Sequence, residues 1–134
     1  MEESFLKIAK ESHDVIIPSR FLYKGSELDE SLLPYFDKAL QQHKGNNFIV
    51  LHTMGSHYHY ERRYNEQFRE FKPICPNNLF LTDITSCKRN QIINSYDNTI
   101  LYTDFFISEV ISRLKNSNAI VIYISDHGES LGEN

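Results

Sequence analysis

The stretch "NAIVIYISDHGES" (residues 118–130) runs an apolar segment straight into a reactive loop. Ile120, Val121, Ile122, Tyr123 and Ile124 follow one another without a polar break, and four of these five are β-branched. Such a run reads as a strand buried on both faces. "NNFIVLHTMG" (residues 46–55) has the same build, with Phe48 to Leu51 bounded by Asn and Gly. Between them, "NSYDNTILYTDFFISEVISRLKNS" (residues 94–117) is the clearest helix, with Ile100, Leu101, Phe105, Ile107, Val110, Ile111 and Leu114 as a broad apolar stripe. A second helix is expected from about Asp29 to His43. Leu32, Leu33, Phe36 and Leu40 recur at helical spacing, Ser26 and Asp29 resemble a capping box, and Pro34 is tolerated in the first turns. A short helical turn over 3–10, an extended segment at "HDVIIPS" (residues 13–19) and a polar-aromatic excursion over 58–72 complete the reading.

Strand, helix, strand with continuous apolar strands predicts an α/β fold, a mainly parallel sheet flanked by helices in an α/β/α sandwich. In such sheets the ligand crevice lies beyond the carboxyl ends of the strands. If the two strands are neighbours, His52, His57, Asp126 and His127 converge at one edge.

Asp126 and His127 offer one oxygen and one nitrogen donor, the mixture zinc prefers. Neighbouring side chains on a regular strand point to opposite faces, so both reach one ion only where the strand breaks, and Gly128 permits that break. By itself an Asp-His pair is more often surface decoration. His57 has the same context after Gly55 and Ser56. His52 reads as a hydrogen-bonded structural histidine, and "HYHY" (residues 57–60) as an aromatic surface strip.

Composition sets the outer limits. With 134 residues, 40% hydrophobic and 24% charged, the chain is expected to be one folded domain with a single core. A net charge of −4 and scattered Lys and Arg argue against a nucleic-acid partner. No stretch is long and apolar enough to cross a bilayer, and "MEESFLKIAKESHD" lacks the pattern of a signal peptide. Cys75 and Cys87 are too few for a structural zinc site and too far apart for a redox pair. They are either free thiols in a reducing compartment or one disulfide, which would contribute about 3 kcal/mol.

"VLHTMGSH", "RRY…F…FKPIC", "INSYDNTILYTDFFISEVISRLK" and "YISDHGESLGEN" together resemble, in that order, the catalytic domain of bacterial phosphoethanolamine transferases. These belong to the alkaline phosphatase/sulfatase superfamily. The resemblance implies that the chain is a partial, incomplete sulfatase-like domain over 1–134, lacking an N-terminal membrane region, the nucleophile segment and the C-terminal end. It implies a Zn²⁺ held in part by Asp126 and His127, and His57 close to the transferred phosphate or at a second metal position. Glu129 and Ser130 support the site, and Cys75–Cys87 becomes the favoured disulfide in an oxidising compartment.

The implied reaction takes phosphoethanolamine from phosphatidylethanolamine to lipid A or another surface glycan through a phospho-threonine, at the periplasmic face of the inner membrane. The nucleophile is expected outside this chain, and Thr53, Thr82 and Thr99 are not at the matching position. Two other readings compete: a sulfatase- or phosphodiesterase-type hydrolase fragment, and a non-catalytic α/β binding module. Missing sheet partners would also leave strand edges open to self-association.

Overall fold

The computed structural model describes residues 28–42, 45–76 and 87–131. The expected elements over 3–10 and 13–19, the Ser26 cap, and the positions of His43 and Thr82 lie outside the described residues. A 3₁₀ turn at Asp29–Leu32 leads into α1, Leu33–Gln42. Two further 3₁₀ turns, Tyr60–Arg62 and Glu66–Phe68, occupy the polar-aromatic excursion. The long helix α2 spans Arg89–Leu114.

α1 and α2 meet through Leu32, Leu33, Phe36, Phe106 and Val110, with Leu40, Ile49, Leu51 and Leu114 packed around them. This apolar patch confirms the Leu32, Leu33, Phe36, Leu40 spacing as one face of a helix. Arg113 then joins the helices at their rim, donating to Asp37 at 3.0 Å and to Glu109 one turn earlier at 2.8 Å. Pairs this exposed stabilise by less than about 1 kcal/mol, so the apolar contact carries the helix pairing.

The other two-thirds of α2 bury a polar face. Ser95, Asn98, Thr99, Tyr102 and Thr103 are all buried. Their spacing of three, one, three and one keeps them on one side of a 3.6-residue turn. Asn98 Oδ1 accepts from the Glu70 and Phe71 amides at 3.0 and 2.9 Å, and its Nδ2 donates to the Phe71 carbonyl at 3.0 Å. Ser95 Oγ accepts from the Cys75 amide at 3.0 Å. Asn94 and Gln91 donate to the Pro73 and Ile74 carbonyls at 2.8 and 3.1 Å. Residues 70–75 thus lie along the helix as irregular chain, with α2 side chains supplying the partners that a strand would find in a sheet. Tyr102 accepts from the Glu30 amide at 3.0 Å, satisfying a free donor at the start of the α1 region. Phe68 covers the other side of that ring, 5.2 Å away.

The apolar stripe expected on α2 is therefore only partly inside. Val110 is buried, Phe105, Ile107 and Leu114 are half-buried, and Ile100, Leu101 and Ile111 face outward. The polar side took the interior because it holds the loops.

Neither apolar run forms a strand among the described residues, and neither is buried on both faces. Exposure does alternate along them. Ile49 and Leu51 pack on the helix pair while Phe48 is 92% exposed. Ile120, Ile122 and Ile124 are 90%, 75% and 79% exposed, against 42% and 59% for Val121 and Tyr123. A period of two is the geometry of a strand. Continuous hydrophobicity had promised two covered faces, but in each run one of the alternating faces stays largely exposed.

Asn98→Ala should remove three partners of the 70–71 backbone at a fully buried position, costing about 2–4 kcal/mol. Asp37→Ala should cost less than about 1 kcal/mol. Urea unfolding followed by circular dichroism measures both.

Candidate functional site

Two segments carry the expected chemistry. The first, residues 53–60, is a loop fixed through its backbone. Its turn closes with the His57 amide donating to the Met54 carbonyl at 3.1 Å. Gly55 sits at φ +50, where a side chain would be strained. The Met54 and Gly55 amides donate to Asp29 Oδ1 and Oδ2 at 2.8 and 2.9 Å. Arg63, itself buried, donates to the His57 and Tyr58 carbonyls at 3.2 and 3.0 Å. Thr99 Oγ1 lies 2.6 Å from both Ser56 Oγ and the Tyr96 carbonyl. Thr99 has one proton and the carbonyl can only accept, so Ser56 donates to Thr99. His57 is left exposed, its Nδ1 3.4 Å from the Tyr58 carbonyl.

Burial pushes the Asp29 carboxyl above the ordinary carboxylate value, and the Met54 and Gly55 amides, Arg63 and His52 oppose that shift. Arg63 is lowered by burial in its turn, with Asp29 acting against it. These two buried charges are offset by each other and by the loop backbone.

The second segment is 125–131. Ser125 Oγ donates to the His127 carbonyl at 2.6 Å, which curls the chain around the expected ligands. His127 Nε2 is 3.8 Å from Asp126 Oδ1, and its Nδ1 is 2.9 Å from the Gly128 carbonyl. That carbonyl and then Asp126 hold the imidazole above its ordinary value. Both side chains face solvent, as does Ser130. The apolar run ends at this point, and the carboxylate and the imidazole lie beside each other.

Glu129 joins the two segments. Its carboxylate lies near buried Tyr60, whose hydroxyl is pushed up to about 12 by burial and then by the Glu129 charge. Tyr96 of α2 packs edge-on against Tyr60 at 5.4 Å and feels the same carboxylate. The loop ending in Asp126 and His127 is thereby tied to the turn that follows His57. No group of three or more His, Cys, Asp or Glu side chains is gathered for a metal among the described residues. Asp126 and His127 match zinc in donor type, and two donors are fewer than the roughly four that zinc takes.

Cys75 and Cys87 form a disulfide, with Cα atoms 5.6 Å apart. Thr99 is fully buried, and its hydroxyl is engaged by Ser56 and the Tyr96 carbonyl. Sequence reasoning missed Asp29, Arg63, Asn98 and the Tyr60 contact. A polar stripe at helical spacing over 94–103 was the available signal for Asn98.

A family model described as Sulfatase matches residues 4–134. The phosphoethanolamine transferase EptA of Helicobacter pylori is 44% identical over 109 residues, covering 78% of this chain and 20% of that protein. Among solved structures, the soluble domain of lipooligosaccharide phosphoethanolamine transferase A from Neisseria meningitidis superposes with a TM-score of 0.72 at 45% identity. The match covers 79% of this chain and 32% of that one. The C-terminal periplasmic domain of phosphoethanolamine transferase EptC from Campylobacter jejuni gives 0.61 at 44% identity, over 67% of this chain and 28% of that domain. The chain spans about a fifth of the length of the curated relative. No helix among the described residues is long and apolar enough to cross a membrane.

Tyr60→Phe should release Glu129 and loosen 126–131 at a cost of about 1 kcal/mol. Faster amide exchange confined to Gly128–Leu131, with α2 unchanged, is the expected reading.

Proposed function

The chain belongs to the sulfatase family, and on that premise we propose that it works as part of a phosphoethanolamine transferase. The carrying observation is that the Glu129 carboxylate acts on both Tyr60 and Tyr96, which supports a common site for the Asp126–His127 tip and the His57 loop. Identity of 44% and 45% to two transferases, over nearly four-fifths of the chain, supports the same reading. The 134 residues then contribute one part of a longer α/β/α domain. The alternating exposure of Phe48–Leu51 and Ile120–Ile124 supports two parallel strands whose ladder partners lie in other segments.

In this reading the donor is phosphatidylethanolamine. A threonine hydroxyl supplied by another segment attacks phosphorus and the P–O bond to the glycerol oxygen breaks. Diacylglycerol leaves carrying the proton, and the phosphoethanolamine stays on the threonine. An acceptor oxygen on lipid A or a related surface glycan then takes the group and regenerates the threonine. The Neisseria relative is named for lipooligosaccharide, which supports that acceptor class, and the Campylobacter domain supports a periplasmic location.

Asp126 and His127 would hold a Zn²⁺ together with ligands from other segments. When bound, zinc supplies Lewis acidity that lowers a hydroxyl pKa and stabilises phosphoryl charge. Exposed His57, on its fixed loop, is placed to meet the transferred phosphoryl oxygens. Ser125 curls the 125–128 loop, and Glu129 anchors it. Cys75–Cys87 closes the excursion beside α2 and suits the oxidising side of the membrane.

Two results test the reading. The 134-residue chain alone should hold zinc weakly and lose it on dialysis against a mild chelator, because it brings too few ligands. Stoichiometric zinc surviving dialysis contradicts that count. Placed in a chain of the relatives' full length, the sequence should release diacylglycerol from phosphatidylethanolamine, and Asp126→Ala or His127→Ala should each reduce release to background. Undiminished release by both variants would favour a binding role over catalysis.

A further inference from the structure

Asp29 lies at the start of the turn before α1, yet both of its oxygens serve a loop 25 residues away. Oδ1 takes the Met54 amide at 2.8 Å and Oδ2 the Gly55 amide at 2.9 Å. Two successive amides on the two oxygens of one carboxylate fix the local direction of the chain as well as its position. Arg63 grips the same loop one turn further on, through the His57 and Tyr58 carbonyls at 3.2 and 3.0 Å. Ser56, between these grips, is held by Thr99 of α2 at 2.6 Å. Residues 54 to 58 are therefore all immobilised through backbone or short side chains, and the His57 imidazole is left in solvent.

The hydrophobic contact of α1 with α2 does not use these groups. It consists of Leu32, Leu33, Phe36, Phe106 and Val110. Asp29 is only 5% exposed, and burying a charge there is costly unless it is well bonded. An apolar residue at the same place could serve the helix pairing without that cost. The cost is met by the loop amides, so what the carboxylate contributes is the placement of the loop.

We propose that Asp29, acting with Arg63, is a positioning residue for phosphoryl transfer. Through the Met54 and Gly55 amides it sets where the His57 imidazole stands relative to the transferred group. This rests on the transferase reading for the identity of the reaction, while the clamp itself is measurable without it.

The test uses Asp29→Ala, Asp29→Asn, which keeps one acceptor oxygen, and Asp37→Asn as a control on the far rim of α1. In the 134-residue chain, amide exchange by NMR should lose about 10–100-fold protection at Met54 and Gly55 in Asp29→Ala. Tyr102 and Phe106 should keep theirs, and Asp37→Asn should change neither pair. In a chain of the relatives' full length, Asp29→Ala should lower kcat for diacylglycerol release about 10–100-fold with KM unchanged, and Asp29→Asn should fall between it and the unsubstituted protein. Unchanged exchange at Met54 and Gly55 overturns the clamp. Loss of protection that extends to Tyr102 and Phe106 makes Asp29 a core residue and overturns the positioning role, as does loosened exchange with unchanged kcat. No release by the unsubstituted chain removes the transferase reading and the positioning role with it, while the exchange data still judge the clamp.

Discussion

A buried polar face on one long helix holds this molecule in shape. Ser95, Asn98, Thr99 and Tyr102 of α2 each bond a different piece of irregular chain: the Cys75 amide, the 70–71 backbone, Ser56 and the Glu30 amide. Buried polar groups are costly when unpaired, so each of these side chains demands its loop in place and each loop demands its side chain. Nonpolar packing between α1 and α2 brings the helices together, and the polar face decides which loops lie where. One helix thereby orders both the approach to His57 and the 70–75 segment that leads into the disulfide.

The site follows the same division of labour. Around His57, backbone amides and carbonyls are bound to buried Asp29 and Arg63 and the Ser56 hydroxyl to buried Thr99, while the imidazole stays open to solvent. Around Asp126 and His127 the anchor is Glu129, whose partner Tyr60 is buried and whose neighbour Tyr96 belongs to α2. Both tips are thus referred to the same helix.

Much of this was legible, and the failures have physical causes. Helix α1 was visible because Leu32, Leu33, Phe36 and Leu40 face a real apolar surface. Asp29 was legible only as a local cap, since nothing near it in sequence announces that its oxygens bind amides at Met54 and Gly55. On α2, the apolar residues from Ile100 to Leu114 recur at helical spacing, and reading them as the buried stripe put Ile100, Leu101 and Ile111 on the wrong side. Buried Asn98 and Thr99 look like surface residues until a loop arrives to use them. The two apolar runs were expected as strands buried on both faces; their two-residue exposure rhythm survives, but covering them takes more than the two helices described. Cys75 and Cys87 were ambiguous by spacing alone; the resemblance favoured the bond that the structure contains.

The central claim is that the Asp126–His127 loop is held beside the His57 loop by Glu129 reaching Tyr60. Solution NMR tests it most directly, through proton–proton Overhauser contacts between the Tyr60 ring and the Glu129 side chain, with contacts from Tyr96 to Tyr60 as the internal reference. The account predicts that both sets appear together. Intact Tyr60–Tyr96 contacts with none to Glu129 would mean that the two loops are not joined, and the site described above would come apart.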